Sequence, residues 1–388
     1  MLDHIRQSLG TIAAKHRTRV LRAVEMRGQG RLVRDGRELL DLSSNDYLGL
    51  SQHPLLVERS ANYVRQYGAG AGASRLITGT SPAHLAVEKK IAAFKGTESA
   101  LILATGWQAN AAAIPALARA AKGTVIFADS LVHNSIHAGL RAATADVHFY
   151  DHNDYAHLHA LLQEHSDAPA RLIITESVFS MDGDRADLAR LNALSVQHDA
   201  MLYIDEAHAT GVLGARGAGL TADHPVTAPG ATIVMGTFSK AMGGFGAYIA
   251  CPDVVRDYLI NMCAGLIFTT APPPAMLGAM DAALDVVPDM DDDRAHLADL
   301  GAQLREGLDK LGYDTLGSTT QIIPFVVGTE ADALALGDHL LDHGVAALPI
   351  RPPTVPKGTS RIRFALRSTL SAQDIEAVLS AVASWKKP

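Results

Sequence analysis

Lys240 stands in "GTFSKAMGG" (236–244), between an apolar run and a glycine pair, with hydroxyls at Thr237 and Ser239 beside it. Asp205 and His208, in "DEAHATG" (205–211), close a second apolar run. An amine that can form an imine, an acid that can keep a ring nitrogen charged and an imidazole that can reach a phenolic oxygen are parts of a pyridoxal 5'-phosphate (PLP) site. Gly106 and Trp107, at the turn into a helix expected over 108–121, would supply backbone N–H groups and the positive end of a helix dipole to a phosphate. The letters Asp-Glu-Ala-His also spell the box of a helicase-type ATPase. That reading needs a phosphate loop with a Gly-Lys pair, and no Gly-Lys dipeptide occurs in the chain.

Each residue also has a plainer reading. A lysine is most often solvated, but one between a buried strand and two glycines is placed for chemistry. Asp205 could cap a helix, and Trp107 could be core packing with only its N–H functional. His133 and His137, four apart, could share a zinc ion, but no third ligand is in sight, so His137 reads as structural. The histidines of "HNDYAHLHALLQEH" (152–165) do not share one face and read as a solvated helix. No metal site is expected. In "RIRFAL" (361–366) alternation puts Arg361 and Arg363 on one face, and the pattern alone does not choose between them.

The elements that must position these groups show in the apolar runs at 101–104, 124–128, 172–176, 201–205 and 232–236, separated mostly by helical stretches. Short buried strands alternating with helices predict an α/β fold with a mostly parallel sheet covered on both faces. Ligands bind outside the carboxyl ends of such strands, so the loops opened by Glu176, Asp205 and Gly236 should converge. After about 275 a long helix to 312, the run 322–328, a helix near 330–343 and "RIRFAL" predict a smaller α+β domain. The expected division is an N-terminal arm 1–50, a large cofactor domain 51–285 and a small domain 286–388.

The 388 residues carry a formal net charge of −7, which gives no footprint for nucleic acid or an anionic membrane. Two cysteines, Cys251 and Cys263, are too few for a disulfide framework. With no secretory leader visible and no long apolar stretch, a cytoplasmic protein is expected.

Eight motifs occur in order along the chain: "SSNDYLGL" (43–50), "GAGASRLITGTSPAHLAVEKKIAAF" (70–94), "TGWQAN" (105–110), "ADSLVHNSIH" (128–137), "TESVFSMDGD" (175–184), "DEAHATGVLG" (205–214), "GTFSKAMGG" (236–244) and "IRPPTVPKGTSRIR" (350–363). In these the chain resembles, over essentially its whole length, the α-oxoamine synthases, PLP enzymes of fold type I.

The resemblance implies that Lys240 is the Schiff-base lysine and Asp205 the ring-nitrogen partner, with His133 stacked on the ring. Ser180 and His208 would bond near the phenolic oxygen. Gly106, Trp107, Thr237 and Ser239 would line the phosphate, helped by Thr269 or Thr270 of a second subunit, so a homodimer is implied. Arg363 would clamp an amino acid's carboxylate, with Asn45 a further substrate residue, and Arg22 and Thr354 would face an acyl substrate. The implied reaction is a decarboxylative condensation of L-alanine with a pimeloyl thioester of coenzyme A or an acyl carrier protein. Glycine with an acetyl thioester is the runner-up, and a catalytically empty dimer partner is disfavoured by the joint presence of Lys240, Asp205 and His133. Two departures stand out: Arg367-Ser368-Thr369 where the family has Ala-Ala-His, and Asn134-Ser135 after His133 where it has Ala-Ser.

Overall fold

A computed structural model describes residues 1–223 and 232–386. The chain forms two compact units, Met1–Gly49 with Ser180–Asp184 and Ala295–Pro388, and Leu50–Phe179 with Arg185–Arg294.

In the first unit β1 (Glu25–Gly28), β2 (Arg31–Arg34) and β3 (Arg37–Asp41) form an antiparallel meander. The second unit is built on a seven-stranded sheet. Its strands are β4 (Ser99–Leu103), β5 (Val125–Asp129), β6 (Asp146–Tyr150), β7 (Arg171–Glu176), β8 (Met201–Asp205), β9 (Thr232–Thr237) and β10 (Ala247–Cys251), in the order β4-β10-β9-β8-β7-β5-β6. All pairs run parallel except those of β10, which is antiparallel to β4 and β9.

The central strands are buried along their length because helices cover both faces, which is why they read as unbroken apolar runs. Ile126, Ile174, Tyr203, Met235 and Ile249 pack in one core with Ala113 and Ile114 of the helix Gly106–Ala118. Gly139, in the helix Asn134–Ala142, lets that helix close on its neighbour: a Cβ there would lie 2.6 Å from the Asn110 carbonyl oxygen and 3.1 Å from Ile114 Cβ.

The chain returns to the first unit with β11 (Ile322–Gly328), β12 (Val345–Ala346), β13 (Leu348–Ile350) and β14 (Ser360–Ala365). β14 lies between β11 and β13, antiparallel to both, and β12 joins β3 in parallel. Residues 1–49 group with the C-terminal unit, and the second unit ends at Arg294, where the sequence suggested an arm 1–50 and a division at 285. The buried Arg367–Asp41 ion pair, at 3.1 Å, ties the same two segments together.

The expected helix from 275 to 312 is two helices, Pro274–Val286 and Asp291–Lys310, parted by a 3₁₀ turn at Val287–Asp289. Pro288, within that turn, has no N–H with which to continue the first helix.

Candidate active site

A cavity of ≈ 220 Å³ opens in the second unit, at the carboxyl ends of β7, β8 and β9 and the N-terminus of the helix Gly106–Ala118. Lys240 Nζ lies 2.8 Å from His208 Nε2 at its wall. Lys240 follows β9 in a tight turn closed by Gly243 N–H to the Lys240 carbonyl at 2.9 Å. Gly243 has φ +66°, and a Cβ there would strike the backbone of Leu50. Gly243 therefore turns the chain after the lysine.

Asp205 ends β8 and is oriented from two sides. Its Oδ2 accepts from Asn110 Nδ2 at 2.8 Å, and its Oδ1 from the Ala207 N–H at 2.9 Å. Tyr203 donates to Asn110 Oδ1 at 2.7 Å, which fixes the amide so that its NH₂ faces the acid. A carboxylate held in this way is built for a charged partner rather than for capping a helix.

Its neighbour Glu206, the second letter of the ATPase box, faces away from this chemistry. It is fully buried against Lys95 at 2.5 Å and accepts from the Thr221 N–H at 2.9 Å and hydroxyl at 2.8 Å.

His133 caps the helix Asn134–Ala142, its Nδ1 accepting from the Ser135 N–H at 3.3 Å. Ser135 Oγ lies 2.7 Å from the same nitrogen and accepts from Asn110 Nδ2 at 2.9 Å. Ser135, which the family pattern shares, thus links the ring to the network that holds Asp205, and the departure at Asn134 takes no part in it. Burial keeps the His133 pKa below the ordinary histidine value; Asp205 opposes this and Lys240 adds to it. Trp107, weighed above as core packing, is 50% exposed at the cavity mouth and meets the His133 ring edge-on at 6.4 Å.

The phosphate candidates gather as expected. Thr237 and Ser239 hydroxyls lie 2.8 Å apart, and Thr105 caps the helix that presents the Gly106 and Trp107 amides. An amine, an oriented acid, a neutral imidazole, paired hydroxyls and a free helix N-terminus around one cavity fit PLP. Thr269 and Thr270 are not in the lining; Thr270 bridges to Ser74, beside Phe268 at 84% exposure.

The substrate candidates lie in the first unit. Arg363 on β14 is buried and donates to the Ser180 carbonyl at 2.6 Å, to Asn45 Oδ1 at 3.4 Å and to the Tyr47 hydroxyl at 3.4 Å. All three partners are neutral. Arg361 instead pairs with Asp182, and Arg367 with Asp41. Of the two arginines the strand pattern left open, Arg363 is the one without a carboxylate among the described residues. Arg22 and Thr354 are exposed, and no hydrogen bond among the described residues joins either to Arg363. Ser180 belongs to this unit through the segment Ser180–Asp184.

Sequence reasoning missed Asn110, Ser135 and the site role of Glu176. Glu176 lines the cavity at 2% exposure, and its parallel pairing with Asp205 across β7 and β8 was the signal available. Away from the cavity, His165 of the histidine-rich stretch meets His148 and Asp146, with one potential metal-ligand atom from each within 4.8 Å of the others.

The family profile "Aminotransferase class I and II" matches residues 37–382. The chain belongs to that family, in its α-oxoamine synthase branch. It is 49% identical over 381 residues to 8-amino-7-oxononanoate synthase of Gluconacetobacter diazotrophicus, covering 97% of this chain and 95% of that one. The enzyme of the same name from Geotalea daltonii is 43% identical over 380 residues, with 97% and 96% covered. Among solved structures, Sphingomonas wittichii serine palmitoyltransferase superposes with a TM-score of 0.90 at 29% identity, over 98% of this chain and 96% of that one. A serine palmitoyltransferase variant from S. paucimobilis with a PLP–myriocin adduct superposes at 0.91 with 26% identity and the same coverage.

Proposed function

We propose that this chain is a PLP-dependent acyltransferase that joins L-alanine to a pimeloyl thioester, releasing CO2 and the free thiol carrier and giving 8-amino-7-oxononanoate, a step of biotin synthesis. The observation that carries the reading is Lys240 Nζ at 2.8 Å from His208 Nε2, in one cavity with an Asp205 already oriented by Asn110. The full-length identity to relatives named for that reaction supports it.

PLP, when bound, supplies an electron sink for the pair left at the amino acid's Cα. The rest of the work falls to the protein. Lys240 Nζ would hold the cofactor through its aldehyde carbon, and its amine would serve as general base for the proton at the amino acid's Cα. His208 holds that amine in position. Asp205 would be the partner of the ring nitrogen, favouring its protonated form. His133, neutral and held by Ser135, offers a flat face for the ring. Thr237, Ser239 and the helix amides take the phosphate. Arg363, which pairs with no carboxylate among the described residues, would take that of the amino acid and so set the rotation about the Cα–N bond. Asn45 would support Arg363, and Arg22 and Thr354 would face the acyl chain.

The working form is a homodimer in which Thr269 or Thr270 reaches the partner's phosphate. Exposed Phe268 (84%) and Ile77 (76%) support an apolar interface in this unit. No described helix is long and apolar enough to cross a membrane, in keeping with a cytoplasmic enzyme. The thiol carrier is coenzyme A or an acyl carrier protein.

The test is thiol release from pimeloyl-CoA and pimeloyl carrier protein with L-alanine, run beside acetyl-CoA with glycine. Pimeloyl with alanine is expected to win by a wide margin in kcat/KM. A win for acetyl-CoA with glycine would make the protein a glycine acyltransferase.

A further inference from the structure

Glu176 and Asp205 end adjacent parallel strands in register, and both line the same cavity. Their surroundings differ sharply. Asp205 is met by two donors, Asn110 Nδ2 and the Ala207 N–H. The His133 backbone amide acts on the Glu176 carboxyl and favours its charged form, while Oε1 is buried with no hydrogen-bond partner among the described residues. Among the described residues no lysine, arginine or histidine forms an ion pair with it. Removing an ionised carboxylate from water costs several kcal/mol unless a cation or a full set of donors replaces the water. A second carboxylate nearby raises that cost.

The charged and titratable groups that act on Glu176 are Asp205, Lys240 and Asp129, with the His133 amide as donor. Burial, followed by Asp205, holds its carboxyl well above the usual carboxylate range; Lys240 and the His133 amide oppose this without reversing it.

We propose that Glu176 is a positioning residue of the catalytic cavity: its carboxyl braces the His133 turn through the backbone amide and remains a neutral hydrogen-bond donor, leaving the negative charge on Asp205. Two anions side by side would split the attraction for a single ring cation between them. One anion and one neutral acid concentrate it on Asp205, while the neutral acid can still fix the residue that carries the stacking ring. The inference rests on the reading of this cavity as the PLP site.

The experiment compares Glu176→Gln and Glu176→Leu with the parent in the holoprotein. Gln keeps the neutral shape, a donor and an acceptor; Leu keeps only volume. The infrared spectrum of the parent, minus that of Glu176→Gln, is expected to show the C=O band of a protonated carboxyl at neutral pH, with or without cofactor. Turnover and the visible PLP spectrum of Glu176→Gln are expected to stay close to the parent's. Glu176→Leu is expected to lose about tenfold or more in kcat, as for an unsatisfied buried amide, with the visible spectrum altered and rescued by Gln. A carboxylate band in place of the acid band, or a Gln variant as impaired as Leu while its PLP remains bound, overturns the proposal. Failure of the cofactor reading looks different: borohydride would then fix no chromophore to the Lys240 peptide of the parent.

Discussion

Changing Lys95 to Met isolates the anchor beneath the catalytic acid. Lys95 and Glu206 have side chains 1% and 0% exposed, and their charged atoms lie 2.5 Å apart. Burial alone would lower the Lys95 pKa; Glu206, with help from Tyr248, more than reverses this and holds it above the ordinary lysine value. The two form a buried ion pair, and Lys95 also donates to the Ala218 carbonyl.

Met fills the space of the stem but leaves Glu206 ionised, buried and met only by Thr221. Breaking a buried pair from one side costs about 3–5 kcal/mol. At about 2–4 °C per kcal/mol for a unit of this size, the midpoint of thermal unfolding should fall by about 6–20 °C at a fixed PLP concentration. Adding Glu206→Gln removes the stranded charge while keeping an acceptor for Thr221, so the double variant should recover more than half of the loss. Because Glu206 sits between Asp205 and Ala207, the single variant should also bind PLP more weakly, which a titration of the visible spectrum reads. A Lys95→Met protein within about 1 kcal/mol of the parent, or a double variant worse than the single, would refute the anchoring argument.

Three further outcomes are expected. Asp205→Asn should still bind PLP, since the phosphate and Lys240 contacts remain, but turnover should fall by orders of magnitude; near-normal thiol release would make the acid structural. Arg363→Ala should raise the KM for L-alanine about 10–100-fold, the loss of a charge-assisted hydrogen bond, whereas Arg361→Ala should act mainly on stability through Asp182; equal KM effects would undo the distinction. Mixing Lys240→Ala chains with Thr269→Ala/Thr270→Ala chains, each inactive alone, should restore activity, because one mixed site has all its parts; none recovered after proven subunit exchange would place each site within one chain.

Lys240, Asp205 and His208 were legible because strand ends and polar loops alternate with apolar runs, and that period survives without any tertiary information. β6 was not, since "DVHFY" is an edge strand with two of its five positions exposed and one buried, and such a strand needs no apolar run. β10 was passed over because it returns antiparallel after the Lys240 turn, breaking the βαβ rhythm. Asn110 was quoted in a motif, yet nothing local says that its amide will meet an acid 95 residues away. The joining of residues 1–49 to the C-terminal unit rests on the short β3–β12 pair and on Arg367 with Asp41, contacts that leave no periodic trace.

The pairing of β9 with β10 has a consequence for the order of assembly. Thr237 faces Ala247, Phe238 N–H reaches the Gly246 carbonyl at 2.8 Å, and Gly244 N–H reaches that of Phe238 at 2.7 Å. The lysine therefore rides on a hairpin whose bonds close loops of only a few residues, so little chain entropy is lost in forming it. The carboxylate is the opposite case: the Ala207 N–H is a local donor, but Asn110 reaches it only when the distant helix Gly106–Ala118 has packed on the assembled sheet. During folding the amine can find its geometry early and locally, whereas the acid proposed for the ring nitrogen takes shape only with the finished sheet. A half-folded chain thus carries the lysine before the carboxylate that would complete the cofactor's seat is in place.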